Sequence, residues 1–259
     1  MHSCKNDYIY LDQNDIPDYI LPELSRKISD RHTGVGSDGL IALKKSNDGI
    51  IFKIFNSDGS EGKMCGNGIR CAAVYAINNM NAASQVEFLT PSGKRKVTVD
   101  YQNGKFVTTA CMGKPKLFLS SDFFCEKLQN VDLYVAKRDI FAVNVGNDHA
   151  VFFSGLPLDI AVKHVELSGL FPNGINVECA EITSKGIKVE VFERGSGKTL
   201  ACGSGAVAAV YAGIISGRLE ENKFIKVFMP GGELEVKISG DEAFLRGEAI
   251  EVFGGEYEI

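Results

Sequence analysis

Two stretches of this 259-residue chain place a cysteine where a glycine-rich turn gives way to a long apolar run. The first reads Asn56-Ser57-Asp58-Gly59-Ser60-Glu61-Gly62-Lys63-Met64-Cys65-Gly66-Asn67-Gly68-Ile69-Arg70-Cys71, and the second Glu193-Arg194-Gly195-Ser196-Gly197-Lys198-Thr199-Leu200-Ala201-Cys202-Gly203-Ser204-Gly205. Each follows an alternating apolar segment, Ile50 to Phe55 or Ile187 to Phe192, and each leads into small apolar residues enough for a helix. Cys65 and Cys202 are therefore equivalent positions of an internal repeat. A thiol at a helix N-terminus sits in the field of unpaired backbone N–H groups, which lowers its pKa, and the same groups form a pocket for an anion. Two such pockets face to face would hold one carboxylate between two thiols.

A cysteine pair can be a redox couple, a metal-ligand pair, a nucleophile with its base, or an acid–base couple. The seven cysteines (Cys4, Cys65, Cys71, Cys111, Cys125, Cys179 and Cys202) are irregularly spaced, with no Cys-x-x-Cys among them. That argues against a disulfide framework and against a zinc site. Most of the seven read as small buried apolar residues; only Cys65 and Cys202 have a context that says otherwise. A symmetric pair of activated thiols suits inversion at a carbon. One thiolate removes the proton from one face of Cα, the opposite thiol protonates the other face, and the roles exchange in the reverse direction.

The elements that must position these thiols follow the same repeat. Ile69 to Ile77 and Ala206 to Ile215 are apolar nearly all round, which requires that both helices be enclosed. Strands are expected at Tyr8 to Leu11, Val86 to Leu89, Val97 to Val99, Phe106 to Ala110, Ile225 to Met229, Leu234 to Ile238 and Ala249 to Phe253, with a short helix at Pro22 to Ile28. Thr90-Pro91-Ser92-Gly93 is matched by Met229-Pro230-Gly231-Gly232, and Gly34 by Gly174. The reading is an α+β protein of two pseudo-repeated domains, each a curled, mostly antiparallel, barrel-like sheet wrapped around a central buried helix, with the active site in the cleft between them. Their bounds are placed at 1–113 and 114–247, with 248–259 returning to the first domain.

With 28 basic and 33 acidic residues the net charge is −5, and the basic residues are scattered, so no nucleic-acid footprint is present. The longest apolar run is about half of a membrane span, and the start lacks the features of a secretory leader. A soluble, cytoplasmic protein with no nucleic-acid or membrane partner is expected.

At these residues the chain resembles the diaminopimelate epimerases, a family of two-cysteine epimerases. The resemblance covers essentially the whole chain: Asn6-Asp7-Tyr8, Asp30 to Gly36, Phe55 to Glu61, Met64 to Cys71, Asn144 to Asn147 with His149, Phe171 to Asn176, Glu193-Arg194-Gly195 and Ala201 to Gly205. It implies interconversion of LL- and meso-diaminopimelate on the way to lysine and peptidoglycan precursors, with no cofactor, neither pyridoxal phosphate nor a metal. A relaxed racemase acting also on glutamate is the alternative, and a homodimer is a compatible assembly. Cys65 and Cys202 would be the acid–base pair, with His149 and Glu193 assisting proton movement. Backbone at Gly66, Asn67, Gly203 and Ser204 would hold the reacting carboxylate, and Asn6, Asn56, Asn147, Asn176 and Arg194 would recognise the rest. Three positions depart from the family pattern: Ser3-Cys4-Lys5 stands for Gly-x-Gly, Asp148 for a proline, and Glu248 near another proline.

Overall fold

The computed structural model describes residues 1–13, 16–119 and 139–258, so Cys125 lies outside the described residues. The chain divides into two compact units, Met1–Cys111 with Arg246–Ile259, and Met112–Leu245. The first contains β1 (His2–Ser3), β2 (Asn6–Asp7), β3 (Ile9–Asp12), α1 (Leu21–Ser29), β4 (Gly39–Ser46), β5 (Gly49–Asn56), β6 (Glu61–Gly62), α2 (Gly66–Met80), β7 (Gln85–Thr90), β8 (Gly93–Gln102) and most of β9 (Lys105–Gly113). The second contains β10 (Lys116–Leu119), β11 (Ile140–Asn144), β12 (Asp148–Phe152), α3 (Leu158–Ser168), β13 (Asn176–Thr183), β14 (Gly186–Glu193), β15 (Gly197–Thr199), α4 (Gly203–Ile215), β16 (Ile225–Met229), β17 (Gly232–Ser239) and the start of β18 (Glu242–Ala249).

The two units share one strand-and-helix order. In the first, β3 runs parallel to β4 across the α1 crossover, β4 pairs antiparallel with β5, β6 folds back on β5, α2 leads to β7 parallel to β5, and β7, β8 and β9 form a meander. In the second, β12 is parallel to β13 across α3, β13 is antiparallel to β14, β15 folds back on β14, α4 leads to β16 parallel to β14, and β16 pairs with β17. Each sheet is thus mostly antiparallel, with parallel pairs where a helix makes the crossover.

Both central helices are enclosed, as their composition requires. Ala72, Ala73, Val74 and Ala76 of α2 have no exposed surface, nor have Ala206 to Val210 or Ala212 of α4. α4 packs against β11, β12, β13, β14, β16 and β17, so the sheet of its unit curls around it. Small side chains permit the close approach, and each element's surface leaves water on all sides at once. α1 is instead amphipathic: Leu21, Leu24 and Ile28 cover Leu40, Ala42 and Phe55, while Arg26 and Lys27 face out.

One expected strand is displaced. Ala249 to Phe253 is not a strand; the last strand is β18, which ends at Ala249. Ala243 and Leu245 are the inward residues that anchor it, whereas Val252 and Phe253 are 61% and 68% exposed and irregular. Polar Arg246-Gly247-Glu248 interrupts the apolar alternation that would have marked β18 in the sequence. No helix of the described residues is long and apolar enough to cross a membrane.

Candidate active site

Each thiol is the N-cap of its central helix. Cys65 (φ −132°, ψ 122°) and Cys202 (φ −130°, ψ 116°) have nearly the same extended backbone, and each Sγ accepts the N–H three residues on, Gly68 or Gly205, at 3.4 Å. Glycine at that third position lets a neighbouring side chain approach closely. A Cβ on Gly68 would lie 2.7 Å from Ile41 Cδ1, and one on Gly205 would lie 2.5 Å from Glu178 Oε1. The N–H groups of Gly66 and Asn67, and of Gly203 and Ser204, open the first turn, where a helix has no acceptors of its own to offer. They form the anion-binding end of each helix.

In the first unit Asn6, Cys65, Gly66 and Asn67 come together. Cys65 Sγ donates to Asn6 Oδ1 at 3.5 Å, and Asn6 Nδ2 donates to Asp38 Oδ2 at 2.8 Å, which fixes which end of the amide faces the thiol. Arg31 bridges Asp7 and Asp38 from the outside. Tyr8 is buried beside Cys65 and Asn6, and burial pushes its phenol well above the ordinary range. Asn67 is buried, with its Oδ1 accepting from Arg70 Nη2 at 2.7 Å. Asn56 stands apart, exposed at the end of β5, where it donates to Ser60 Oγ.

The second unit gathers Asn147, His149, Asn176, Glu193, Arg194, Cys202, Gly203 and Ser204. Parallel pairing sets His149 of β12 opposite Asn176 of β13, and antiparallel pairing sets Glu178 of β13 opposite Val191 of β14, two residues from Glu193. Asn176 is tied to backbone at both ends, donating to Asp148 O and accepting from Arg194 N, each at 2.9 Å. The guanidinium of Arg194 is exposed and reaches Gly174 O at 3.4 Å. Glu193 Oε1 accepts from Thr199 Oγ1 at 2.5 Å. Ser204 Oγ lies 3.4 Å from Cys202 Sγ.

The expectation that a helix N-terminus lowers the thiol's pKa fails for Cys202. Burial, then the carboxylates of Glu193 and Glu178, push this thiol well above the usual range, against the opposing hydrogen bonds from Ser204 and Gly205. Cys202 therefore holds its proton at rest. The helix end acts, but low dielectric and the neighbouring carboxyl groups outweigh it.

Three residues of these half-sites escaped the sequence reading. Arg70, Tyr8 and Glu178 are all buried, and Glu178 Oε1 lies 2.6 Å from His149 Nδ1. One of them left a signal: Arg70 is a single charge inside an otherwise apolar segment, which a buried element tolerates only with dedicated partners. Glu178 left none, since Asn176 and Glu181 give its strand an ordinary mixed pattern. Tyr8 left none, since an aromatic opening a strand is ordinary core.

Among the described residues no cluster of three or more His, Cys, Asp or Glu side chains converges to hold a metal ion.

Comparison with known proteins gives the family. The family model described as diaminopimelate epimerase matches residues 1–118 and 141–252. The chain is 37% identical to the diaminopimelate epimerase of Bacillus licheniformis over 100% of this chain and 97% of that protein. It is 39% identical to that of Carboxydothermus hydrogenoformans, over 99% and 97%. Among solved structures, a predicted epimerase from Pseudomonas aeruginosa superposes with a TM-score of 0.69 at 12% identity, over 93% of this chain and 88% of that one, a likeness of fold.

Proposed function

The chain belongs to the diaminopimelate epimerase family, and from that premise we propose that it interconverts LL- and meso-diaminopimelate by removing the proton from one face of one Cα and delivering a different proton to the other face. The observation that carries the reading is the equivalence of Cys65 and Cys202, each capping a buried helix and each accepting the same N–H at 3.4 Å. A reaction whose substrate and product are near mirror images at the reacting carbon calls for two such half-sites.

In this mechanism Cys202, protonated at rest, is the acid of one direction, and Cys65 is the base once the proton that it donates to Asn6 has been released to solvent; the next turnover in reverse exchanges them. The substrate carboxylate is held by the N–H groups of Gly66, Asn67, Gly203 and Ser204. There the helix ends also stabilise the negative charge that develops as the Cα proton leaves, the costly part of the reaction. Glu193, whose charge reaches Cys202, completes the catalytic group, which His149 supports through its contact with Asn147. Asn6, Asn56, Asn147 and Asn176 bind the remaining polar groups, and the exposed guanidinium of Arg194 suits a bidentate grip on the distal carboxylate. The protein acts on a small amino-acid substrate in the cytoplasm, without pyridoxal phosphate or metal, on the route to lysine and peptidoglycan precursors. A homodimer is compatible with this.

The test is incubation of the purified protein with LL-diaminopimelate in deuterated water. The expected result is meso product with deuterium at the inverted Cα. Unchanged LL substrate without label would overturn the proposal.

A further inference from the structure

We propose that Glu178 is a positioning residue: through His149 it holds the side-chain amide of Asn147 with its oxygen turned inward and its NH2 group left to face the substrate. The inference rests on the epimerase reading for its functional consequence, but its structural part stands alone.

The His149 ring lies between two acceptors. Nδ1 is 2.6 Å from Glu178 Oε1, and Nε2 is 3.0 Å from Asn147 Oδ1. An amide oxygen only accepts, so Nε2 must carry a hydrogen. Two arrangements provide it. Either Glu178 is ionised and both ring nitrogens donate, or Glu178 keeps the proton, donates it to Nδ1, and the neutral ring bears its hydrogen on Nε2. Both leave the pair with no net charge. The third arrangement, an ionised Glu178 beside a neutral ring protonated at Nδ1, would set the Nε2 lone pair against the Asn147 oxygen and leave an uncompensated anion.

Burial selects against that third state. Neither side chain of the pair has exposed surface, and Glu178 Oε2 meets no hydrogen-bond partner among the described residues. A lone carboxylate in such a place is costly. Burial and the nearby Glu193 accordingly raise the affinity of Glu178 for its proton, against the pull of His149. The carboxyl is also held in place sterically, because the absent side chain of Gly205 leaves the space its Oε1 fills.

His149 therefore does not offer Nε2 as a base. It sets the polarity of Asn147, and Glu178 sets the polarity of His149. A carboxylate substrate then meets N–H donors where a flipped amide would present a repelling oxygen.

The experiment pairs a spectrum with kinetics. In 15N-histidine-labelled protein, with His149 assigned by loss of its signals in His149→Asn, Nε2 is expected to bear a hydrogen at neutral pH; an unprotonated Nε2 would overturn the proposal without reference to any substrate. Glu178→Gln, whose amide can donate to Nδ1 as a protonated carboxyl does, should retain kcat and KM for diaminopimelate within a few fold. Glu178→Leu should raise KM about tenfold or more, the loss of a charge-assisted contact, with a smaller change in kcat. A Gln variant as impaired as the Leu variant, or a Leu variant with unchanged KM, would overturn it. Should Glu178→Leu fail to fold, the spectrum and the Gln variant still decide. Absence of turnover in the wild type would remove the epimerase reading, leaving the ring's hydrogen to be judged by the spectrum alone.

Discussion

Arg70 heads the fully buried side chains by volume, and its guanidinium has acceptors on several sides: Asn67 Oδ1 and Ser3 Oγ at 2.7 Å, Gly66 O at 3.2 Å and Glu248 O at 3.5 Å. Such a cation is retained because removal strands the groups it satisfies. Arg70→Met should lose roughly 3 kcal/mol or more of stability, since each buried acceptor left without a donor costs about 1–3 kcal/mol. Arg70→Lys should recover only part, because one ammonium cannot serve the acceptors that Nη2 reaches, Asn67 and Ser3, and also Gly66 O and Glu248 O, which Nε and Nη1 reach. Chemical denaturation of the three proteins checks this, and an Arg70→Met midpoint equal to wild type would refute it. The residue was readable as an oddity, a lone charge in Ile69 to Ile77. Its acceptors were not, for Ser3 and Glu248 are brought to it by strands from the two ends of the chain.

At the scale of elements, α2 carries a second titrating group. Cys71 is fully buried, and burial pushes its thiol up to about 11 from 9.0. The unfolded chain therefore releases this proton before the folded protein does. Between pH 9 and about 11 the folded state holds the extra proton, so stability falls as pH rises, by about 1.4 kcal/mol per pH unit. Cys71→Ala removes that slope. The two proteins' unfolding free energies, measured across this range, should converge with rising pH; parallel curves would show that the thiol is not held protonated.

The β1–β2 hairpin shows where sequence and structure part company. Its two turn residues, Cys4 and Lys5, have φ of 52° and 65°, the left-handed region that a two-residue hairpin needs and that glycine or asparagine ordinarily supplies. Ser3-Cys4-Lys5, where the family pattern has glycines, thus places two side chains in a backbone region that disfavours them. Lys5→Gly should stabilise the protein by about 1 kcal/mol through relief of this strain, read as a higher denaturation midpoint, and a lower midpoint would refute the account. The central helices and the meanders were legible because their apolar periodicity is uninterrupted. β11, β12 and α3 were not, and β18 was misplaced, because Arg246 to Glu248 break its pattern. Of the half-sites, the residues at the repeated glycine turns were legible from local spacing. Glu178 and Tyr8 were not, because only strand register brings them to their thiols.

Over the whole molecule, the repeat is the fact that organises the rest: one order of strands and helices occurs twice, and in each copy a thiol caps the start of the second crossover helix. Because the helix ends can bear the developing charge, the protein should keep full epimerase activity after exhaustive chelation and removal of any carbonyl-reactive cofactor. Activity lost on such treatment and restored by a metal or by pyridoxal phosphate would contradict this.

The central claim is that two thiols, one from each copy, act on one Cα, one removing its proton and the other supplying a new one. It is tested most directly by Cys65→Ala and Cys202→Ala, assayed side by side with wild type for conversion of LL- to meso-diaminopimelate. Neither the base nor the acid can be left out of a transfer from one face to the other, so each variant should lose at least about a thousandfold in kcat while remaining folded. Near-wild-type conversion by either variant would contradict the account.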